Sequence, residues 1–153
     1  MEATIDLHQA TRTLLVKSLE SLDLEQVNLI PTGFNNSIAW NTAHIIVTQQ
    51  LLTYKLSGRE MLVEDSFVER FRKGTRAESS LSAGEWADCK KLLLGLAQEL
   101  ERDYFEEKFS QYTTYPTSYG YEIHSIEEAI QFNNIHEALH LGYIMSMKRA
   151  IGA

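Results

Sequence analysis

The sequence is poor in the residues that cross-link a chain, break helices or attract phosphate. A single cysteine among 153 residues excludes a disulfide within the chain and fits a reducing compartment. Only 2 prolines and 8 glycines are present, which permits long helices. Acidic residues outnumber basic ones 21 to 14, and the net charge of −7 argues against nucleic acid as a partner. No apolar run approaches the ~18 residues of a membrane span, and the first residues do not resemble a signal peptide. We therefore expect a cytoplasmic protein without membrane contact.

The remaining composition is that of a helical globular protein. Apolar and charged residues make up 44% and 23% of the chain, as in ordinary globular domains. Apolar residues recur at helical spacing in four segments, which lie at about 3–22, 37–56, 82–109 and from 126 almost to the end. Ser82 with Glu85 and Ser125 with Glu128 have the spacing of capping boxes, and Gly58 suits the end of the second helix. The sequence predicts an all-α four-helix bundle formed by one domain over residues 1–153.

Two connections differ from the helices in composition. The charged stretch 59–80 is long enough to cross one end of a bundle, and SFVERF within it is compatible with a short helical turn. The stretch 111–123 is rich in tyrosine, threonine and serine and predicts a loop or a short irregular hairpin, whose tyrosines could wall a pocket. In the first helix the apolar stripe is assigned to the leucines at 7, 14, 15, 19 and 22. Two adjacent rows on the second helix are apolar, and they would serve either a core or a dimer seam.

The last helix carries two histidines that are placed to share a metal ion. His136 and His140 lie one turn apart on the same face, ~6 Å along the helix axis. The neighbouring row, which is apolar or small, predicts that this face points into the bundle (Phe132, Ile135, Leu139 and Gly142). Two buried, unpaired imidazoles would each cost about 1–3 kcal/mol, which a shared cation would offset. The alternative is a pair of hydrogen-bonded core histidines.

A third ligand must come from the other histidines. His8 is predicted to be solvated at the start of the first helix, and His124 lies in a polar loop. His44 lies in the middle of the second helix, and bundles build metal sites from facing helices. We therefore predict a metal site formed by His44, His136 and His140.

The string HEALH, residues 136–140, also matches the HExxH motif of zinc peptidases, in which the glutamate is the general base. The residues after His140 contain no histidine, aspartate, glutamate or cysteine to act as the downstream ligand. The peptidase hypothesis is therefore the weaker one, and Glu137 is predicted to lie on a flanking or solvated face.

With these residues identified, the chain resembles the DinB-like (DinB/YfiT-like) family, within the superfamily that includes bacillithiol- and mycothiol-dependent transferases. The resemblance rests on the run PTGFNNSIAWNTAHIIVTQQLL, on HEALHLGYI as an HxxxHxG motif, and on the helix order with its long middle crossover. It implies up-down-down-up topology, a homodimer, and a divalent metal, nickel or zinc, bound by the same three histidines. One position departs from the pattern, since Leu141 stands where many relatives carry arginine.

Two functions remain open at this point. The first is a metal-dependent enzyme that uses a low-molecular-weight thiol, such as bacillithiol, or water, in an S-transferase, isomerase or hydrolase reaction on a small molecule. Its pocket would be walled by Trp40, Asn41, Asn133 and Tyr143. No catalytic side chain is assigned, because a metal-activated water or thiolate would serve, with Glu137 as a weaker alternative. The second is a non-catalytic, dimerising metal-binding domain associated with stress.

Overall fold

A computed structural model describes residues 1–153, and its regular secondary structure is helical apart from one short hairpin. Its elements are α1 (Glu2–Leu19), α2 (Leu24–Asn28), α3 (Ile38–Gln49), α4 (Asp65–Phe71), α5 (Ala83–Phe105), β1 (Tyr115–Pro116), β2 (Glu122–Ile123) and α6 (Ile126–Ala150). The strands form one antiparallel hairpin, in which Tyr115 pairs with Ile123. The predicted all-α class is confirmed, as are the short helix in the crossover and the irregular hairpin.

The four long helices surround two apolar clusters. α1 and α3 each pack against both α5 and α6. The larger cluster is centred on α3 and α5, and the smaller one lies where α6 approaches the hairpin. Both apolar rows of α3 are buried within the chain, so they serve the core. The up-down-down-up order stays a prediction. None of the helices combines the length and the apolar character needed to cross a membrane.

The predicted second helix has the right extent but changes its winding. After α3, residues Gln50–Tyr54 form a π turn, in which the N–H of Lys55 bonds to the carbonyl of Gln50, and Lys55–Ser57 form a 3-10 turn. Gly58 then ends the segment in the left-handed region, with φ of 69°. A π turn is wider than an α turn and often occurs at functional sites. Here it precedes residues that line a cavity beside the histidines.

The predicted caps hold in most details. Ser82 and Glu85 form both bonds of a capping box. The Ser125 hydroxyl accepts from the N–H of Glu128, but the Glu128 carboxylate accepts from the N–H of His124 instead of the cap residue. The first helix ends earlier than predicted, because Asp23 caps the separate helix α2.

The buried stripe of α1 matches the predicted one at Leu15 and Leu19 but not in the first half of the helix. It consists of residues at 3- and 4-residue spacing, namely Ile5, His8, Arg12, Leu15 and Leu19. Leu7 and Leu14 are 59% and 54% exposed, so their assignment to the core stripe was wrong. The stripe contains two polar side chains because each has a buried polar partner on α6, which is described below.

Candidate metal centre

Three histidines from two helices converge at one point. One ligand atom from each of His44, His136 and His140 can be chosen so that all three lie within 4.8 Å of one another. The ring centroids are 5.2 Å apart for His44 and His136, 4.9 Å for His44 and His140, and 4.5 Å for the pair on α6. Nitrogens bound to one ion at about 2.1 Å in a tetrahedral site lie about 3.4 Å apart. Side-chain movements of about 1 Å or less would therefore suffice to bind an ion.

The pair on α6 lies at the border between the buried and exposed faces of that helix. His136 and His140 are half-buried, whereas Ile135 and Leu139 are 53% and 55% exposed. The prediction that the row of Ile135 and Leu139 faces the interior was wrong. The buried face is instead centred on Asn133, Glu137 and Ile144. The border position leaves the histidines within reach of solutes, which a catalytic metal site needs.

The His44 ring is held on two sides. Its Nδ1 lies 2.6 Å from the carbonyl oxygen of Phe71, so Nδ1–H donates and Nε2 is left for a metal. The carbonyl is available because α4 ends at Phe71. The indole of Trp40 stacks on the imidazole, with centroids 4.8 Å apart and planes within 10° of parallel. The short helix of the crossover thus helps to set the orientation of the third histidine.

The His140 ring is oriented by an asparagine one turn before His44. The Nδ1–H of His140 donates to the Oδ1 of Asn41 at 2.9 Å. The amide of Asn41 is itself oriented, because its Nδ2 donates to the carbonyl of Ser37 at 2.8 Å. This arrangement fixes the tautomer and leaves Nε2 of His140 unprotonated.

The electrostatics of the cluster favour neutral imidazoles. Burial, followed by the proximity of His140 and His44, lowers the pKa of His136 to about 3. Burial and then His44 lower the pKa of His140 to about 4, and burial lowers the pKa of His44 despite its bond to Phe71. The Nδ1 of His136 is buried without a hydrogen-bond partner. Three neutral imidazoles, two of them oriented by hydrogen bonds, suit zinc, nickel, copper or iron, so the residues present fit a divalent metal.

Glu137 is buried and fully engaged elsewhere, so its predicted place on a flanking or solvated face was wrong. It is 1% exposed. Its Oε1 accepts from Nε2 of His8 at 3.0 Å and from Nη2 of Arg12 at 2.7 Å, and its Oε2 accepts from Nε of Arg12 at 2.7 Å. Burial by itself would raise the pKa of this carboxyl, but Arg12 and His8 hold it well below its usual range. This carboxylate has neither the access nor the basicity of a general base.

His8 also differs from expectation, because it is fully buried instead of solvated. Asn133, predicted as a pocket residue, belongs to the same group, since its Nδ2 donates to Oε1 of Glu137 at 2.6 Å. We call His8, Arg12, Asn133 and Glu137 the Arg12–Glu137 cluster. Arg12 extends it by donating to the Leu93 carbonyl on α5 at 3.0 Å and to Oε1 of Gln49 on α3 at 3.2 Å. All four long helices are therefore tied to one buried ion pair.

Two cavities without a shared lining residue adjoin the histidines. The first, the cationic cavity, has a volume of ≈ 260 Å³ and is lined by His44, His136, two lysines, hydroxyl residues and apolar side chains, among them Lys55, Lys73, Thr48, Leu51 and Phe132. The second, the asparagine cavity, has a volume of ≈ 370 Å³ and is lined by Asn35, Asn36, Trp40, Asn41, Leu139, His140 and Tyr143. Of the four predicted pocket residues, the structure places three in the asparagine cavity and Asn133 in neither.

Of the residues that line the cationic cavity, the sequence pointed to His44, His136 and tyrosines of the 111–123 stretch, but not to Thr48 or the lysines. Thr48 follows His44 by one turn, and its hydroxyl lies 3.3 Å from Nε2 of His44, which is a spacing that could have been noticed. Lys73 lies in the charged crossover and gave no signal. Of the four tyrosines expected to wall a pocket, Tyr115 and Tyr119 line this cavity, whereas Tyr112 and Tyr121 do not. His124 is exposed and lies outside the histidine cluster. A third, larger cavity of ≈ 940 Å³ contains no histidine.

Asn41 offers a direct test of how His140 is oriented. Asn41→Ala removes the acceptor of the His140 Nδ1–H and is expected to weaken zinc binding about 10- to 100-fold, as loss of such partners does in other metal sites. Asn35→Ala is the matched control, because Asn35 lines the same cavity without a bond to a histidine. The measurement is zinc titration against a competing chelator. Equal affinities in the two variants would show that the bond is incidental.

A comparison with known protein families identifies the family of this chain. The DinB superfamily profile matches residues 7–144, which include all three histidines and the whole bundle except its ends. No curated protein sequence matches the chain. The match covers most of the chain, and the histidines that converge in space are those on which the resemblance rested. The chain belongs to the DinB superfamily.

Proposed function

We propose that the protein is a metal-dependent enzyme that transfers a group between two small molecules, one of them a low-molecular-weight thiol. The observation that carries this proposal is the position of the histidine cluster, which contributes to the walls of two cavities with no residue in common. A hydrolase needs space for one organic substrate and water. Two separate cavities beside one metal site favour a reaction between two organic molecules.

In this proposal the residues of the chain bind the metal ion, orient its ligands and limit the access of water. His44, His136 and His140 would hold the ion, either nickel or zinc. The Phe71 carbonyl and Asn41 keep two of the rings in their binding tautomers. When bound, a divalent cation would supply Lewis-acid chemistry, including stabilisation of a thiolate at neutral pH. Leu51 and Phe132 line the cationic cavity and limit the access of water to the reacting groups.

The test is a conjugation assay on protein loaded with zinc or nickel. The probe monochlorobimane would be mixed with bacillithiol, cysteine or glutathione. In the expected reaction the thiolate sulfur bonds to the carbon that carries chlorine, chloride leaves, and the thiol proton passes to solvent. We expect wild-type turnover well above that of His140→Ala with at least one thiol. Panels of esters and amides would be run in parallel, and hydrolysis without conjugation would replace the transferase with a hydrolase.

The outcome that contradicts the proposal is equally specific. If wild type and His140→Ala show the same rates in every assay, the hypothesis that the protein is an enzyme fails. The alternative, a non-catalytic metal-binding domain, would then be the better description. Circular dichroism of both proteins checks that the variant is folded.

The homodimer stays a prediction, but its interface must lie elsewhere than on α3. The apolar rows of α3 are buried within the chain and cannot form it. The apolar row left exposed is on α6, where Ile135, Leu139 and Tyr143 are 53%, 55% and 42% exposed at four-residue spacing. A dimer formed through this row would place a second copy next to the asparagine cavity, which Leu139 and Tyr143 also line.

A further inference from the structure

The cationic cavity carries a charge opposite to that of the protein. Its wall includes Lys55 and Lys73 and no aspartate or glutamate, although the whole chain has 21 acidic residues against 14 basic ones. The lysines that form ion pairs are Lys91 and Lys108. The ammonium groups of Lys55 and Lys73 therefore have no carboxylate partner within the protein.

The positive wall is a local feature. The cavity of ≈ 940 Å³ has five acidic residues in its lining against one arginine and one lysine. The asparagine cavity has no lysine, arginine, aspartate or glutamate. Of these three cavities, only the one that reaches His44 and His136 is lined by lysines without acidic neighbours. A concave site focuses such a field and attracts ligands of the opposite charge.

The rest of the wall is apolar with a few hydroxyl groups. The apolar side chains are Leu51, Leu52, Leu56 and Phe132, and Thr48 and Ser118 contribute hydroxyls. The π turn places its leucines and the following Lys55 along this wall. The volume of ≈ 260 Å³ lies just below the roughly 300–1,000 Å³ of sites for drug-sized ligands. The cavity therefore suits a small molecule with an apolar body and one charged end.

We propose that the cationic cavity binds a small amphiphilic anion as a substrate, with its carboxylate or phosphoryl oxygens on Lys55 and Lys73 and its apolar body against the leucines and Phe132. This inference rests on the proposed function, because it assigns one of the two substrates to this cavity.

The experiment measures binding instead of turnover. The probes are 4-phenylbutyrate and its uncharged amide, 4-phenylbutyramide, titrated by calorimetry into zinc-loaded and metal-free protein at low salt. We expect the carboxylate to bind about tenfold more tightly than the amide in both forms, because charge-assisted hydrogen bonds are the stronger ones. The preference should decrease with added salt, because both lysines are exposed. The phosphonate analogue of the probe compares the two classes of anion.

Variants identify the groups responsible. In the double variant Lys55→Met/Lys73→Met, the two probes should bind within about twofold of each other, since the stems are kept and only the charges are lost. Lys90→Met is the matched control, because Lys90 lies over the ring of Trp86 on α5, away from the cavity. It should keep the wild-type preference.

Equal affinity for the two probes in the wild type, or a preference that persists in the double variant, would overturn the proposal. The two proposals can fail separately. If the anion proposal fails, conjugation of the neutral probe monochlorobimane is unaffected. If the proposed function fails, the metal-free protein still binds the anion more tightly than the amide.

Discussion

Replacing any one of His44, His136 and His140 by alanine is expected to weaken zinc binding by at least about 100-fold, more than the loss of an orienting partner costs. The reason is geometric, since the three rings supply the only ligand atoms of this cluster, all within 4.8 Å of one another. Two remaining imidazoles would hold an ion only weakly. The measurement is metal content per chain after dialysis, together with chelator competition.

The control variant for this experiment is His124→Ala. The His124 side chain is 56% exposed and lies outside the histidine cluster, so metal content should equal that of wild type. His8 is unsuitable as a control, because it is buried against Glu137 and its loss would disturb the fold. Full metal occupancy in His44→Ala would show that the third ligand is not His44.

Glu137→Ala is expected to lower the free energy of unfolding by about 3–5 kcal/mol, which is the cost of leaving one member of a buried ion pair without its partner. Arg12 is completely buried and directs two nitrogens at this carboxylate. Its remaining bonds reach the Leu93 carbonyl and Gln49, which cannot neutralise its charge. The measurement is urea unfolding of the metal-free protein, followed by circular dichroism.

Two further variants separate the charge effect from the loss of side-chain volume. In Arg12→Met/Glu137→Leu no charge is left unpaired, so its destabilisation should be clearly smaller than the sum of the two single changes. Glu69→Ala removes an exposed ion pair with Arg72 and should change stability by less than about 1 kcal/mol. A Glu137→Ala protein that is as stable as wild type, with normal metal content and no turnover, would contradict the structural role assigned to Glu137. It would indicate that Glu137 takes part in the reaction.

The features that could be predicted from sequence are those encoded by neighbouring residues. Ser82 and Glu85 cap α5 as predicted, and Gly58 ends the second long helical segment in a left-handed conformation. The spacing of His136 and His140 is likewise a property of one helix. The pairing of His44 with them required a further premise, that a bundle places these helices side by side, and the structure brings the three together.

The features that could not be predicted depend on partners that are distant in sequence. Arg12 and Glu137 are separated by 125 positions, and each by itself is typical of a surface residue. The burial of Glu137 also explains why the buried face of α6 was predicted wrongly. A helix that buries Asn133 and Glu137 must expose Ile135 and Leu139. The signal in α1 was its 3-4 spacing, which places His8 and Arg12 in line with Ile5 and Leu15. Polar residues at core positions of a stripe predict polar partners across the bundle.

The Arg12–Glu137 cluster also affects how an activity screen of this chain should be read. His136 and Glu137 are adjacent, yet they face different neighbours, the former the metal site and the latter the centre of the bundle. For the enzyme proposed above, an alanine substitution at either position would abolish turnover, at His136 by removing a metal ligand and at Glu137 by unfolding part of the protein. A screen scored only by product formation would return the pattern of a zinc peptidase, with an essential glutamate between two essential histidines. Soluble yield and melting temperature, recorded beside each rate, distinguish a lost ligand from a lost fold.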